Sequence, residues 1–91
     1  MPDAPRKFSH RATGKFWVHY RQLPPEIQEL GDKTYLLLKE NPRHPSLQFK
    51  KIGKTWSVRV GLHHRALAIQ IPEGFLWFWI GLHDEYDLKI K

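Results

Sequence analysis

The chain contains no cysteine, so disulfides, thiol nucleophiles and thiolate zinc sites are excluded. Long apolar stretches are missing too. The run Phe75 to Ile80 falls far short of the roughly 20 residues that carry a helix across a bilayer. The opening MPDAPRKFSHRATGKF lacks the apolar stretch of a signal peptide, so a soluble, unexported, cytoplasmic chain with no membrane contact is expected. Acidic residues are scarce, nine against 15 Lys and Arg, for a net charge of +6. Four of the nine, Glu73, Asp84, Glu85 and Asp87, lie near the C-terminus. The middle of the chain is therefore left to Lys39, Arg43, Lys50, Lys51, Lys54, Arg59 and Arg65. Such a balance favours a polyanionic partner, and Trp and His interleaved with the cations tilt it toward nucleic acid. Six histidines are present, but His63-His64 and His83-Asp84 match no recognised ligand spacing. Neither a metal nor a cofactor is expected.

What the chain does have is enough apolar content, 41% over 91 residues, for one modest core and a single domain spanning 1–91. Residues 1–11 read as a loose arm, with Lys7-Phe8-Ser9-His10 able to add a short edge strand. Thr13 is placed to cap a helix over 14–23, where Phe16, Tyr20 and Leu23 form a stripe at helical spacing. Pro25 opens a second helix over 25–41, with Glu26 and Glu29 near its positive end. Ile27, Leu30, Thr34, Leu37 and Leu38 make its apolar face, and Asn41-Pro42 ends it.

From there the period changes to two. In 56–60, Trp56, Val58 and Val60 fall on one side and Ser57 and Arg59 on the other. In 64–71, Leu67, Ile69 and Ile71 oppose Ala66, Ala68 and Gln70. Pro72-Glu73-Gly74 forces a turn, and 75–80 returns as a strand apolar on both faces. Leu47 to Ile52 alternates weakly and reads as an extra strand or an extended lead-in. The fold class is therefore α+β: an N-terminal helical hairpin packed on a C-terminal antiparallel sheet.

Four stretches in this order carry a family resemblance: Leu23-Pro24-Pro25-Glu26-Ile27-Gln28; Asn41-Pro42-Arg43-His44-Pro45-Ser46-Leu47-Gln48-Phe49-Lys50; Trp56-Ser57-Val58-Arg59-Val60-Gly61 with Arg65-Ala66-Leu67; and Trp77-Phe78-Trp79-Ile80-Gly81 with His83-Asp84-Glu85-Tyr86. Over about residues 14–88 the chain resembles the RelE/ParE superfamily of toxin–antitoxin toxins. The resemblance implies a helical hairpin on an antiparallel sheet, a cognate antitoxin protein, and either ribosome-dependent mRNA cleavage or inhibition of DNA gyrase. A third possibility is a nontoxic binding module that keeps the fold. The family's first strand has only the segment around Arg6 to His10 to occupy. RelE-like nucleases often carry two basic residues on the strand matching Trp56–Val60, where this chain has Ser57 and only Arg59. Arg65 matches the arginine that opens the next strand, and His83 falls where the YafQ and HigB kinds have a functional histidine or a nearby aromatic.

Metal-free RNA cleavage needs a base for the 2′-hydroxyl proton, a cation for the phosphorane charge and an acid for the leaving 5′ oxygen. His83, Arg65, Arg59, His64 and Tyr86 are the catalytic candidates. Lys50, Lys51, Lys54, Trp56 and His63 are the RNA-binding candidates, with Trp56 or Tyr86 able to stack a base. Against these roles stand structural ones: solvated hairpin histidines at 63 and 64, a strand end at His83-Asp84, and a core-packed stem for Arg65.

Overall fold

A computed structural model of the chain describes residues 9–85. Strand β1 (Ser9–Ala12) leads into helices α1 (Gly14–Arg21) and α2 (Pro25–Glu40). After a 3₁₀ turn at Pro45–Leu47 come β2 (Lys50–Ile52), β3 (Thr55–Val60), β4 (His64–Ile71) and β5 (Gly74–Leu82). The α+β expectation holds, and both helices and the three long strands lie within two residues of their expected limits. Thr13 caps α1 as its position implied, its hydroxyl oxygen accepting from the Phe16 N–H at 3.0 Å.

The sheet order is β1-β5-β4-β3-β2. β2 to β5 form the expected antiparallel meander, but β1 pairs with β5 in parallel. The sheet is mixed rather than antiparallel because the helical hairpin carries the chain from one end of β1 back to the meander, a crossover that no local pattern announces. Of residues 1–11, read as a loose arm or a short edge strand, 9–11 belong to β1, which runs on to Ala12; residues 1–8 lie outside the described part. β1 is held by more than its ladder. The Trp77 indole N–H donates to His10 Nδ1 at 3.1 Å, and the His10 ring stacks on Phe75 and meets the edge of Tyr35 from α2.

A register shift decides which residues of β5 face the helices. Leu67 pairs with Trp79 but Ala68 pairs with Trp77, leaving Phe78 as an extra residue. Phe75 and Trp77 therefore join the helix-facing core, and past the bulge Ile80 takes that side while Trp79 turns to the other. This is why 75–80 is apolar without alternation. The helix-facing core also holds Val58 and Val60 of β3, Ala66 and Ala68 of β4, and Leu38 and Leu47. The two alanines leave room for Phe16 and Tyr20 of α1. On the other face Leu67 and Trp79 are buried with Ile52 and Phe78. Complete burial of a leucine such as Leu67 contributes roughly 1.5–3 kcal/mol.

Two glycines should respond oppositely to alanine. A Cβ on Gly74, whose φ is +156°, would sit 2.0 Å from the Ser9 carbonyl oxygen. Gly74→Ala must push β1 off the sheet and should cost roughly 2–4 kcal/mol in urea unfolding. A Cβ on Gly31 would meet Ile80 and Tyr20 at 3.7 and 3.9 Å, ordinary contact distances. Gly31→Ala should stabilise α2 by about 0.5–1 kcal/mol in the same assay.

Acid should also weaken the fold through two histidines. The pKa of His10 is lowered by burial and by nearby Lys39, and that of His64 by burial and by neighbouring His63. Both stay neutral in the folded chain below the pH at which they take up protons when unfolded, about 6.5. Their contribution is thus present above that value and lost as pH falls below it toward the folded-state pKa. Thermal melts should show a lower Tm at about pH 5 than at about pH 7.5, with a shallower slope in His64→Leu.

Candidate nucleic-acid interface

The antiparallel pairing of β3 with β4 puts Arg59 directly opposite Arg65. Both share the parity of Ser57 and Leu67, opposite to Val58 and Ala66, and Arg59 also borders a pocket lined by Leu30, Lys33, Thr34 and Leu37 of α2. Like charges placed directly across a ladder repel, at a cost of a few tenths to about 1 kcal/mol. Each guanidinium group has an acceptor on the protein. Arg59 Nε donates to the Gly61 carbonyl at 3.0 Å, and Arg65 Nη2 donates to Gln48 Oε1 at 3.4 Å. Lys50, opposite Ser57 in the β2–β3 pairing, adds a third cation to this face.

Ser57 occupies the position where a second basic residue was sought. Its side chain is 1% exposed, and its hydroxyl has no hydrogen-bond partner among the described residues, an arrangement that costs about 1–3 kcal/mol.

At the far end of β5, Gly81 pairs with Arg65. A Cβ there would lie 2.6 Å from Trp79 Cζ2 and 3.2 Å from Glu85 Oε1. Gly81 thus lets the indole and the helical turn 83–85 close in beside Arg65. His83 opens that turn, and its N–H donates to the His63 carbonyl at 2.7 Å, tying the end of β5 to the β3–β4 loop. His83 follows Gly81, the register partner of Arg65, by two residues along the chain.

The other sequence candidates are distributed differently. His64 shares the helix-facing parity of Ala66 and is 8% exposed, so it stands on the opposite side of the sheet from Arg59 and Arg65. Period two gives this outcome once Arg65 faces away. Trp56 also faces the helices, packing on Phe49 and Phe75 with ring centroids 4.9 and 5.3 Å apart. It is a core residue and presents no open ring face among the arginines. Lys51, its register partner, is exposed on that same side. Lys54 is exposed in the β2–β3 turn, about 17 Å along β3 from Arg59, and His63 is exposed in the β3–β4 loop. Tyr86 lies outside the described residues.

Gln48 and Gly81 were not singled out from the sequence. Gly81 carries a readable signal, a glycine ending an aromatic strand just before His83. Gln48 carries none, because its reach to Arg65 depends on an unusual backbone conformation. A cavity of about 250 Å³ between helices and sheet, lined by residues including Phe16, Tyr20, Leu38, Val58, Trp77 and Ile80, is apolar and on the other side from the arginines.

No family model and no curated protein matches the sequence. Solved structures do match the fold. The RelB–RelE antitoxin–toxin complex from Methanococcus jannaschii aligns with a TM-score of 0.68 at 12% identity, covering 89% of this chain and 99% of that one. YafQ from Escherichia coli strain BL21(DE3) aligns at 0.66 and 11% identity, covering 88% and 98%. The RelBE2 toxin–antitoxin complex from Mycobacterium tuberculosis aligns at 0.65 and 17% identity, covering 85% and 99%. With most of both chains aligned in each case, this protein has the RelE-like fold.

Proposed function

We propose that the chain is the toxin of a type II toxin–antitoxin pair, a metal-independent endonuclease that cuts mRNA on the ribosome and is silenced by a cognate antitoxin. The observation that carries this reading is the Arg59–Arg65 cross-strand pair, on the side of the sheet opposite Val58 and Ala66. Cations at paired positions of neighbouring strands favour a polyanion, and a phosphate backbone is one. The fold likeness to RelE complexed with RelB and to YafQ supports both the toxin role and the antitoxin partner.

In this mechanism Arg65 and Arg59 neutralise charge that builds on the phosphorane, and Lys50 holds the adjoining backbone. His83, at the end of β5, serves one of the two proton transfers. Tyr86, a sequence candidate outside the described residues, is assigned the other. Lys54, in the β2–β3 turn, extends the positive field along the RNA without touching the reacting phosphate, Lys51 lies on the helix side with Trp56, and His63 borders the RNA from the β3–β4 loop. His64 and Trp56, on the helix-covered side, take no part. The chain's net charge of +6 favours an antitoxin segment that is acidic, and association should slow as salt is raised.

A second reading, inhibition of DNA gyrase, is favoured by one observation. Ser57, buried and uncharged, stands where a second cation would serve cleavage, whereas inhibition by binding needs no proton-transfer set.

Ribosome-bound mRNA and, separately, gyrase with supercoiled DNA distinguish the two. Wild-type protein should cut the former and leave the latter active; gyrase arrest without cleavage would reverse the assignment. Given cleavage, His83→Ala should slow it by about 10²–10⁴ while RNA affinity changes little. Arg59→Ala or Arg65→Ala should weaken RNA binding and flatten its dependence on log salt by about 0.7 per cation removed. Equal cleavage by wild type and a folded His83→Ala would remove that histidine from the mechanism.

A further inference from the structure

The cavity between helices and sheet is walled by rings drawn from four elements: His10 of β1, Phe16, Trp17 and Tyr20 of α1, Tyr35 of α2 and Trp77 of β5. Several of them meet edge to face. Trp17 stands at 88° to Phe16 and 77° to Tyr20, with centroids 5.2 Å apart in both pairs, and His10 stands at 89° to Tyr35 at 5.7 Å. Walls set at such angles hold a flat ring by stacking on one side and by edge contact on another. The space exists because the sheet supplies alanine beneath it. Ala12 lines the cavity beside its register partner Trp77, and Ala66 beside Val58. A larger side chain at either position would recover the packing contacts that the cavity forfeits. An apolar cavity of roughly 150 Å³ takes up benzene; at about 250 Å³ this one has room for two fused rings.

One carboxylate stands at the mouth. Asp32 of α2 is exposed and lines the cavity, and its Oδ1 accepts from the Tyr20 hydroxyl at 2.7 Å. That bond, with burial, raises the Tyr20 pKa and keeps the hydroxyl protonated. A neutral phenol holds the carboxylate beside the aromatic walls without adding a countercharge. Cations on the same elements are placed elsewhere. Arg11 has the opposite parity in β1 to His10 and Ala12, so its backbone borders the cavity and its side chain leaves the other face of the sheet. Lys39 lies over the Tyr35 ring at 5.1 Å, but on α2 it follows Asp32 by seven residues, roughly 10 Å along the axis.

We propose that this cavity binds a small aromatic amine, its fused rings between the walls of Trp17, Tyr20 and Trp77 and its ammonium on the Asp32 carboxylate. The inference does not depend on the nuclease reading. Because β1, α1, α2 and the meander all contribute to the lining, an occupant ties the helical hairpin and β1 to the sheet and should raise the Tm.

Nitrogen-15 NMR titrations of the full chain with tryptamine, indole and indole-3-acetate provide the test, since the three share a ring system and differ in charge. Tryptamine should move the Trp17 and Trp77 indole N–H signals and bind about two- to five-fold tighter than indole, the scale of a solvent-exposed ion pair. Indole-3-acetate should bind most weakly. Asp32→Asn, a surface change, should bring tryptamine to the indole value. Ala66→Leu, which fills the cavity, should weaken tryptamine and indole alike by at least about ten-fold. A thermal melt checks that Ala66→Leu folds; if it does not, the Asp32→Asn comparison decides alone. Millimolar tryptamine that leaves the Trp77 signal unmoved would overturn the proposal. So would affinity for the acid equal to or above that for the amine, or tryptamine binding that is unchanged in Asp32→Asn or in folded Ala66→Leu.

Discussion

The register between β3 and β4 is the constraint on which the other features of this molecule depend. It sets Val58 and Val60 beside Ala66 and Ala68 under the helices, and in doing so commits Arg59 and Arg65 to the opposite face and to each other. A slip of one residue would bury both arginines beneath α1 and α2 and expose the valines. The hydrophobic requirement of one face thus specifies the charge pattern of the other. The like-charge pair is a by-product that burial of the core easily outweighs, since each core side chain contributes more than the repulsion costs.

β5 needs a different device because it is apolar on both sides. Its extra residue, Phe78, changes the parity of the strand between Trp77 and Trp79 and gives each face an indole. On the helix side Trp77 secures β1 through His10. On the other side Trp79 lies against Gly81 and supports the turn that starts at His83. One irregular step in a ladder therefore serves the sheet edge on one face and the approach to Arg65 on the other.

The face opposite Val58 and Ala66 is also where local stability is given up. The Ser57 hydroxyl is buried without a partner among the described residues, Arg59 and Arg65 oppose each other, and Gln48 holds a left-handed conformation within reach of Arg65. On the helix-facing side the comparable defect is the Trp56 indole N–H, also without a partner among the described residues.

Sequence by itself determined the elements and their faces. Helical spacing before Asn41-Pro42 and period two after Thr55 are local properties of the chain, which is why the helices, the meander and the sidedness of β3 and β4 could be read directly. The likeness to RelE-type toxins was legible for the same reason, in the order of short local motifs. Tertiary structure decided what depends on distant pairing: the parallel docking of β1, the bulge at Phe78, and which side of the sheet the helices cover. That last choice separated His64 and Trp56 from Arg59 and Arg65, because alternation says which residues share a face but not which face is covered. It also joined Gln48 to Arg65, since a contact between a loop and a strand arises only when the core packing of Leu47 and Phe49 has set where the loop lies.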